Sequence, residues 1–316
     1  MAKILTLTLN PALDLTVTLE HLQPGTVNRS KGLQAHAAGK GLNVAQVLAD
    51  LGHQVTVSGF LGADNLQPFE ALIAQRGFVD GFIRVPGQTR SNIKLVEGTG
   101  RVTDINGPGP EVNESAFAAL LERLEHIAPG HDAVVVAGSL PPGVTVQWFA
   151  QLLARLKALG LKVALDTSGE ALRAGLASMP WLVKPNTDEL AEVLETPLHS
   201  FTEQHAAARR LLDLGIEEVV VSQGAEGVTW FNAQATLHAS PPRVKVASTV
   251  GAGDSLLAGM VHGLLTGDDA KTTLRRATAI AAMAVSQIGF GITDPQYLVQ
   301  LQREIRIHTP AAEQEG

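Results

Sequence analysis

Two runs of five residues, Ala133-Val-Val-Val-Ala137 and Glu218-Val-Val-Val-Ser222, constrain the fold more than any other feature of the chain. A strand with one wet face alternates apolar and polar residues, because successive side chains point to opposite sides. These runs do not alternate, so the strands they form are expected to be covered on both faces. Stretches with apolar residues at helical spacing separate them and their neighbours: 113–127, 145–159, 169–176, 187–194 and 203–214. Further strands are expected at 162–166 and 181–184. This order predicts an α/β fold with a mostly parallel central sheet, flanking helices and right-handed crossovers. In such sheets ligands collect at the carboxyl ends of the strands.

The amino-terminal third departs from that rhythm twice. A strand at 3–9 ends at Asn10-Pro11, and two alternating runs follow, 14–20 and 27–35, joined by Pro24-Gly25. Gly39-Lys40-Gly41 opens a helix that Gly52 stops, a strand covers 54–60, and a helix covers 65–76 up to Gly77. A second pair of runs, 90–97 and 101–106, turns at Gly98-Thr-Gly100. Two hairpin insertions, 14–37 and 88–107, therefore interrupt the first β/α units. Paired in space they would form a small separate sheet, a lid over a single domain spanning 1–316; two independent loops are the other arrangement. A last hairpin, 227–231 and 235–246, leads into helices at 254–265, 269–286 and 295–305.

Composition narrows the function. Twenty-four Lys and Arg against 31 Asp and Glu give a net charge of −7, so neither nucleic acid nor anionic membrane is an expected partner. Any anionic substrate must be held by a local basic pocket. Cysteine is absent, which excludes thiolate catalysis, disulfides and cysteine-bound metal. The ten histidines show no metal-ligand spacing on one helix. The opening segment alternates like a strand and lacks the apolar core of a secretory signal. No run reaches the ~18 apolar residues of a membrane span. A cytoplasmic location is the expectation.

The chemistry concentrates in Ser248-Thr249-Val250-Gly251-Ala252-Gly253-Asp254-Ser255. A helical apolar pattern begins there, so its first free amides lie in a glycine turn suited to a phosphate. Asp254 beside a bound anion is explained by a proton acceptor's task; as a plain helix-start residue it would need no such setting. Other polar groups recur at strand ends. Asp14 can accept bonds from two sugar hydroxyls, or serve only in a turn. Gly39 and Lys40, with Asn43, combine free amides and a cation for phosphate or sugar oxygens. Ser139 follows the strand at 133–138. Arg90 and Arg29 lie in the lid, where they are either simply solvated or, on closure, brought onto a phosphorylated sugar. Lys184-Pro-Asn186-x-x-Glu189 sits at a strand-to-helix junction, where Glu189 either favours the helix dipole or orients water around Mg²⁺ on nucleotide phosphates. Ser222, Gly224 and Gly227 form a glycine loop that admits a planar base. No Walker A loop occurs, and no Gly-x-Gly-x-x-Gly follows the first strand.

These motifs resemble the PfkB-type carbohydrate kinases, which have the ribokinase fold. Val250-Gly-Ala-Gly-Asp-Ser255 is similar to their carboxyl-terminal signature, and Ala38-Gly-Lys-Gly-x-Asn43-Val-Ala45 to their amino-terminal one. Lys184-Pro-Asn186-x-x-Glu189 is similar to their metal-and-phosphate motif. Thr8-Leu9-Asn10-Pro11-Ala12-x-Asp14 and His36-Ala-Ala-Gly-Lys-Gly41 resemble the branch that phosphorylates fructose 1-phosphate at C6. Members acting on fructose 6-phosphate carry a lysine in the first lid hairpin, where this chain has Val27 beside Asn28. The resemblance implies ATP and Mg²⁺ as cofactors and Asp254 as general base. It implies the amides of Gly251, Ala252 and Gly253 as anion hole, with Gly253 also against the nucleotide. It allows K⁺ near Ser248 and Val250, and it implies a homodimer through the lid. Related sugar phosphates, tagatose 6-phosphate among them, and a sensor that binds without turnover are the other readings.

Overall fold

The computed structural model describes residues 1–310. Strand β1 (Lys3–Thr8) leads into β2 (Ala12–Leu19) and β3 (Gly32–Ala38), and helix α1 (Lys40–Asp50) returns the chain to β4 (Gln54–Gly62). Helix α2 (Gln67–Arg76) and two short strands, β5 (Val79–Asp80) and β6 (Ile83–Val85), precede β7 (Arg90–Glu97) and β8 (Val102–Asn106). The chain then runs through α3 (Glu114–Ile127), β9 (Ala133–Ala137), α4 (Val146–Ala158), β10 (Lys162–Asp166), α5 (Gly169–Ala177) and β11 (Leu182–Val183). Helices α6 (Thr187–Leu194) and α7 (Phe201–Asp213) and strand β12 (Glu218–Ser222) follow. The hairpin β13 (Val228–Phe231) and β14 (Thr236–Ser240) comes before α8 (Ala252–Thr266), α9 (Ala270–Ser286), α10 (Pro295–Glu304) and β15 (Arg306–His308).

An eleven-stranded sheet has the order β15-β14-β13-β12-β11-β10-β9-β1-β4-β5, with β6 beside β4. Its centre is parallel; β13, β14 and β15 pair antiparallel at one edge. The two valine-rich strands behave as their composition requires. Val134 and Val136 join the core under α3 and α4, while Val135 and Ala137 join the core under α1, α8 and α9. Each face therefore removes alternate side chains from water, which is why neither strand carries a polar stripe. After β1 the chain goes first to β4 on one side and later to β9 on the other. That reversal opens a crevice at the carboxyl end of β1, where such sheets hold ligands.

The two insertions form one four-stranded sheet, order β3-β2-β7-β8, joined by parallel pairing of β2 with β7. Register resolves its two faces. Leu15, Ala35, Ile93 and Ile105 lie across one row and Val17, Leu33 and Leu95 across another, so these share an apolar face. Asp14, His36, Asn92 and Asn106 share the opposite, polar face.

Two boundaries differ from expectation by five residues or more, and three short strands are additional. The last hairpin arm stops at Ser240 rather than 246, because Pro241 and Pro242 offer no N–H to a ladder. Strand β3 starts at Gly32 rather than 27, since Asn28 ties the preceding turn through bonds with the backbone of Gln23 and Thr26. The strands β5, β6 and β15 have no counterpart in the sequence pattern; at two or three residues they are too short to show a period. Among the described residues no helix is long and apolar enough to cross a membrane.

Candidate active site

A cleft of about 800 Å³ runs along the carboxyl edge of the main sheet beneath the polar face of the small one. Its wall includes Asp14, Lys40, Asn43, Lys184 and Asp254, drawn from β2, α1, the end of β11 and α8.

Two helices point uncapped N-termini at it. Helices α6, α7, α9 and α10 have their first amides closed by Asn186, Ser200, Asp269 and Asp294 side chains. Helix α1 begins instead at Gly39 and helix α8 at Gly251, with no side-chain cap at either. Their free N–H groups are donors available to an anion. Gly251 adopts the left-handed conformation, φ 81°, that a β-carbon disfavours. The glycines of α1 have a second cause. A β-carbon at Gly41 would stand 2.4 Å from Thr8 Oγ1, so the helix can start on the end of β1 only without one.

Between the two helix tips lies a quartet of charges, of which Asp166, Lys184 and Asp254 are buried and Lys40 is partly exposed. Asp166, 1% exposed at the end of β10, meets Lys40 Nζ at 3.0 Å and Lys184 Nζ at 3.2 Å. Asp254, also buried, accepts a bond from Asn43 Nδ2 at 2.8 Å. Burial and the Asp166 charge push the Asp254 carboxyl up to about 6; Lys40, Asn43 and Lys184 restrain the rise. Burial acts to raise Asp166 too, but Lys184 and Lys40 outweigh it and hold the carboxyl below the ordinary range. Lys40 is drawn down by burial, yet Asp166 and Asp254 prevail and keep it charged. Two carboxylates of opposite tendency thus share one pocket, the arrangement that separates a proton acceptor from a fixed counter-ion.

The small sheet contributes Asp14, which accepts from Asn92 Nδ2 at 3.0 Å; burial raises its pKa against the pull of Asn92, Lys94 and Arg90. Arg90 lines the cleft, but its Nη atoms donate to the Gly107 and Asn10 carbonyls at 3.2 and 3.1 Å. It ties the small sheet to the end of β1. At the other end Asn186 and Glu189 form a reciprocal capping box, with bonds of 2.9 and 2.8 Å. Glu189 Oε2 is the atom that accepts from the Asn186 amide, so the capping role is realised while the residue also lines the cleft. Ser222, Gly224 and Val250 are in the wall, as are Gly39, Asn186, Gly251 and Gly253.

Other expected residues sit outside that wall. Arg29 is exposed on the β2–β3 connection. Ser139 accepts from Asn10 Nδ2 at 3.3 Å at the crevice between β1 and β9. Gly227 is glycine for packing, since a β-carbon would fall 2.1 Å from the Ala239 carbonyl. Ser248 Oγ accepts from the Val250 amide at 3.2 Å, and Ala252 is the first residue of α8. Asp166 and Asn92 belong to the site although sequence reasoning did not select them. Asp166 was visible only as one of several polar strand ends; its partner Lys40 is 126 positions away. Among the described residues no group of three or more His, Asp or Glu could hold a metal ion by itself.

Comparison with known proteins identifies relatives along nearly the whole chain. Residues 7–296 match the pfkB family carbohydrate kinases. The chain is 47% identical over 305 residues to 1-phosphofructokinase of Vibrio cholerae, covering 96% of both chains. It is 45% identical to the 1-phosphofructokinase of Escherichia coli K12, covering 95% of this chain and 97% of that one. The structure of E. coli phosphofructokinase-2 in complex with potassium superposes with a TM-score of 0.89 at 30% identity, over 96% and 99% of the chains. A possible 1-phosphofructokinase of Thermotoga maritima gives 0.87 at 25% identity, over 98% and 100%.

Proposed function

The chain belongs to the pfkB family of carbohydrate kinases, and from that premise we propose how its cleft divides the work of phosphoryl transfer. The activity is that of a 1-phosphofructokinase: ATP phosphorylates fructose 1-phosphate at the C6 hydroxyl, giving fructose 1,6-bisphosphate. The observation that carries the assignment of roles is the raised, buried carboxyl of Asp254 one residue past an uncapped glycine turn.

Asp254 takes the C6 hydroxyl proton as that oxygen attacks the γ-phosphorus. The first amides of α8, from Gly251, Ala252 and Gly253, receive the charge on the transferring group. Asp14, held by Asn92, accepts sugar hydroxyls, while Asn43 orients Asp254. Lys40, Gly39 and the free edge of Arg90 face the sugar's own phosphate, with Ser139 and Arg29 reaching it on closure of the small sheet. Lys184 serves the nucleotide phosphates and Asp166 keeps both lysines in place. Ser222, Gly224 and Gly227 support the nucleoside. The capping bond of Glu189 uses Oε2, and a carboxylate with a second oxygen beside the cleft suits the water shell of a Mg²⁺ ion that arrives on the triphosphate. Asn186 stands at the same junction, and such an ion neutralises phosphate charge. The Ser248 hydroxyl and nearby backbone oxygens suit K⁺, a cation held by neutral oxygens. The half-covered apolar face of the small sheet, with Leu33 and Ile105 exposed, is read as the contact between two copies of the chain.

The test is an acceptor panel with ATP and Mg²⁺. Fructose 1-phosphate is expected to give the highest kcat/KM, ahead of fructose 6-phosphate and tagatose 6-phosphate. A better acceptor among these would overturn the substrate assignment.

A further inference from the structure

We propose that the loop 287–293 is a strut that holds the catalytic turn in position, with Phe290 as its contact and Asp50 as its anchor. The inference rests on the reading of the Gly251–Asp254 turn as the site of transfer.

Helix α8 starts without a side-chain cap, and an uncapped first turn is where a helix frays most readily. A catalytic anion hole needs its amides fixed before the charge develops. Something else must therefore restrain this turn. A β-carbon at Gly251 would stand 2.7 and 2.9 Å from two ring carbons of Phe290, so the ring lies directly against the turn's backbone. Upstream, the Val285 carbonyl accepts from the amides of Ala247 and Ser248 at 2.8 and 3.2 Å. The end of α9 and the loop after it thus grip the turn from two sides.

The loop is itself braced. Gln287 Nε2 donates to the Gly291 carbonyl at 2.8 Å, and Thr293 Oγ1 donates to Gln287 Oε1 at 2.5 Å. Asp50 then fixes it to the body of the protein. Its Oδ2 accepts the Ile292 amide at 2.7 Å, and its Oδ1 accepts from Arg76 Nη2 at 2.6 Å. Arg76 also donates to the Gln46 carbonyl at 2.6 Å. Gly291, at φ 96°, leaves no room for a side chain, since a β-carbon would lie 2.5 Å from Asp50 Oδ2. Asp50 is the last residue of α1, whose first residue is Lys40. One helix therefore carries the substrate lysine at one end and the anchor of the catalytic turn at the other. Asp50 and Phe290 are positioning residues: neither lines the cleft.

The experiment compares Phe290→Leu, Asp50→Ala and the double variant of the full chain, with fructose 1-phosphate and ATP. Each single change is expected to lower kcat about tenfold, with both KM values within twofold. The double variant should match the worse single one, not the product, because both changes release the same loop. Phe290→Tyr, which keeps the ring, should retain most of kcat. Without substrate, hydrogen exchange at amides 250–254 should quicken in both single variants. Unchanged exchange, or multiplying losses in the double variant, would overturn the strut. Should Asp50→Ala fail to fold, Asp50→Asn with the same exchange measurement decides. A wild-type protein with no sugar-phosphate turnover would sink the transfer-site reading instead, and the exchange result would still judge the strut.

Discussion

Changing Asp166 to Asn is expected to move the acid limb of the pH–rate profile downward. The Asp254 carboxyl stands at about 6 against an ordinary 3.8, with burial the larger cause and the Asp166 charge the second. If Asp254 must be ionised to accept the hydroxyl proton, kcat/KM is near its plateau at pH 8 and falls to about a tenth at pH 5. Asp166→Asn removes the second cause and leaves Lys40 and Lys184 uncompensated beside Asp254, which favours its anion further. Since burial is the greater contributor, the limb should drop by about one pH unit, not the full displacement. The substrate's own phosphate also titrates near 6, so the wild-type limb alone does not identify the group. The variant separates them, because a mutation cannot move the substrate's pKa. ADP release followed by chromatography from pH 4.5 to 8.5 avoids pH-sensitive coupling enzymes. A limb that stays at 6 in Asp166→Asn would refute the assignment of that limb to Asp254.

Asp254→Asn should cut kcat by roughly 10²–10⁴ with sugar affinity almost unchanged, measured by steady-state kinetics and calorimetric titration. The same variant should be more stable at pH 8. A carboxyl whose folded pKa lies above its unfolded one penalises folding above about pH 6, and the penalty fades as pH falls towards 4. Thermal denaturation should show a gain of about 2 kcal/mol at pH 8 that shrinks at pH 4; a loss at pH 8 contradicts the sign. Gly251→Ala forces a residue with a β-carbon to φ 81° against Phe290, and should cost about 1–3 kcal/mol and most of kcat. Lys40→Met should raise KM for fructose 1-phosphate at least tenfold while KM for ATP changes little; equal effects on both would remove Lys40 from the sugar's phosphate.

Local pattern was enough for the elements that two-sided burial or helix periodicity defines. The strand at 133–137, the helix at 187–194 and both arms of the second hairpin, near 90–97 and 102–106, agree with the sequence to within a residue or so. In each, the side chains report their own surroundings. Strands of two or three residues have no period to report: β11 is expected only from its place between two helical stretches, and β5, β6 and β15, outside that alternation, become visible only once paired. The same limit explains the small sheet's faces. Along β2 alone, Leu13, Leu15 and Val17 alternate with Asp14, Thr16 and Thr18. Only register with β7 shows that Asn92 stands beside Asp14 on the side of the cleft.

In the site, the sequence by itself determined the chemical vocabulary: glycine turns before α1 and α8, a lysine directly after the first, and an aspartate directly after the second. Those depend on neighbours along the chain, where spacing is fixed by covalent geometry. The tertiary structure alone decided which charges meet. Asp166 lies between Lys40 and Lys184 because the ends of β10 and β11 and the start of α1 converge on one crevice. It also turned Arg90 towards carbonyls and set Phe290 against Gly251. A carboxyl's pKa depends on burial and on charges a few ångströms away, and distance in space is the quantity that sequence spacing does not carry.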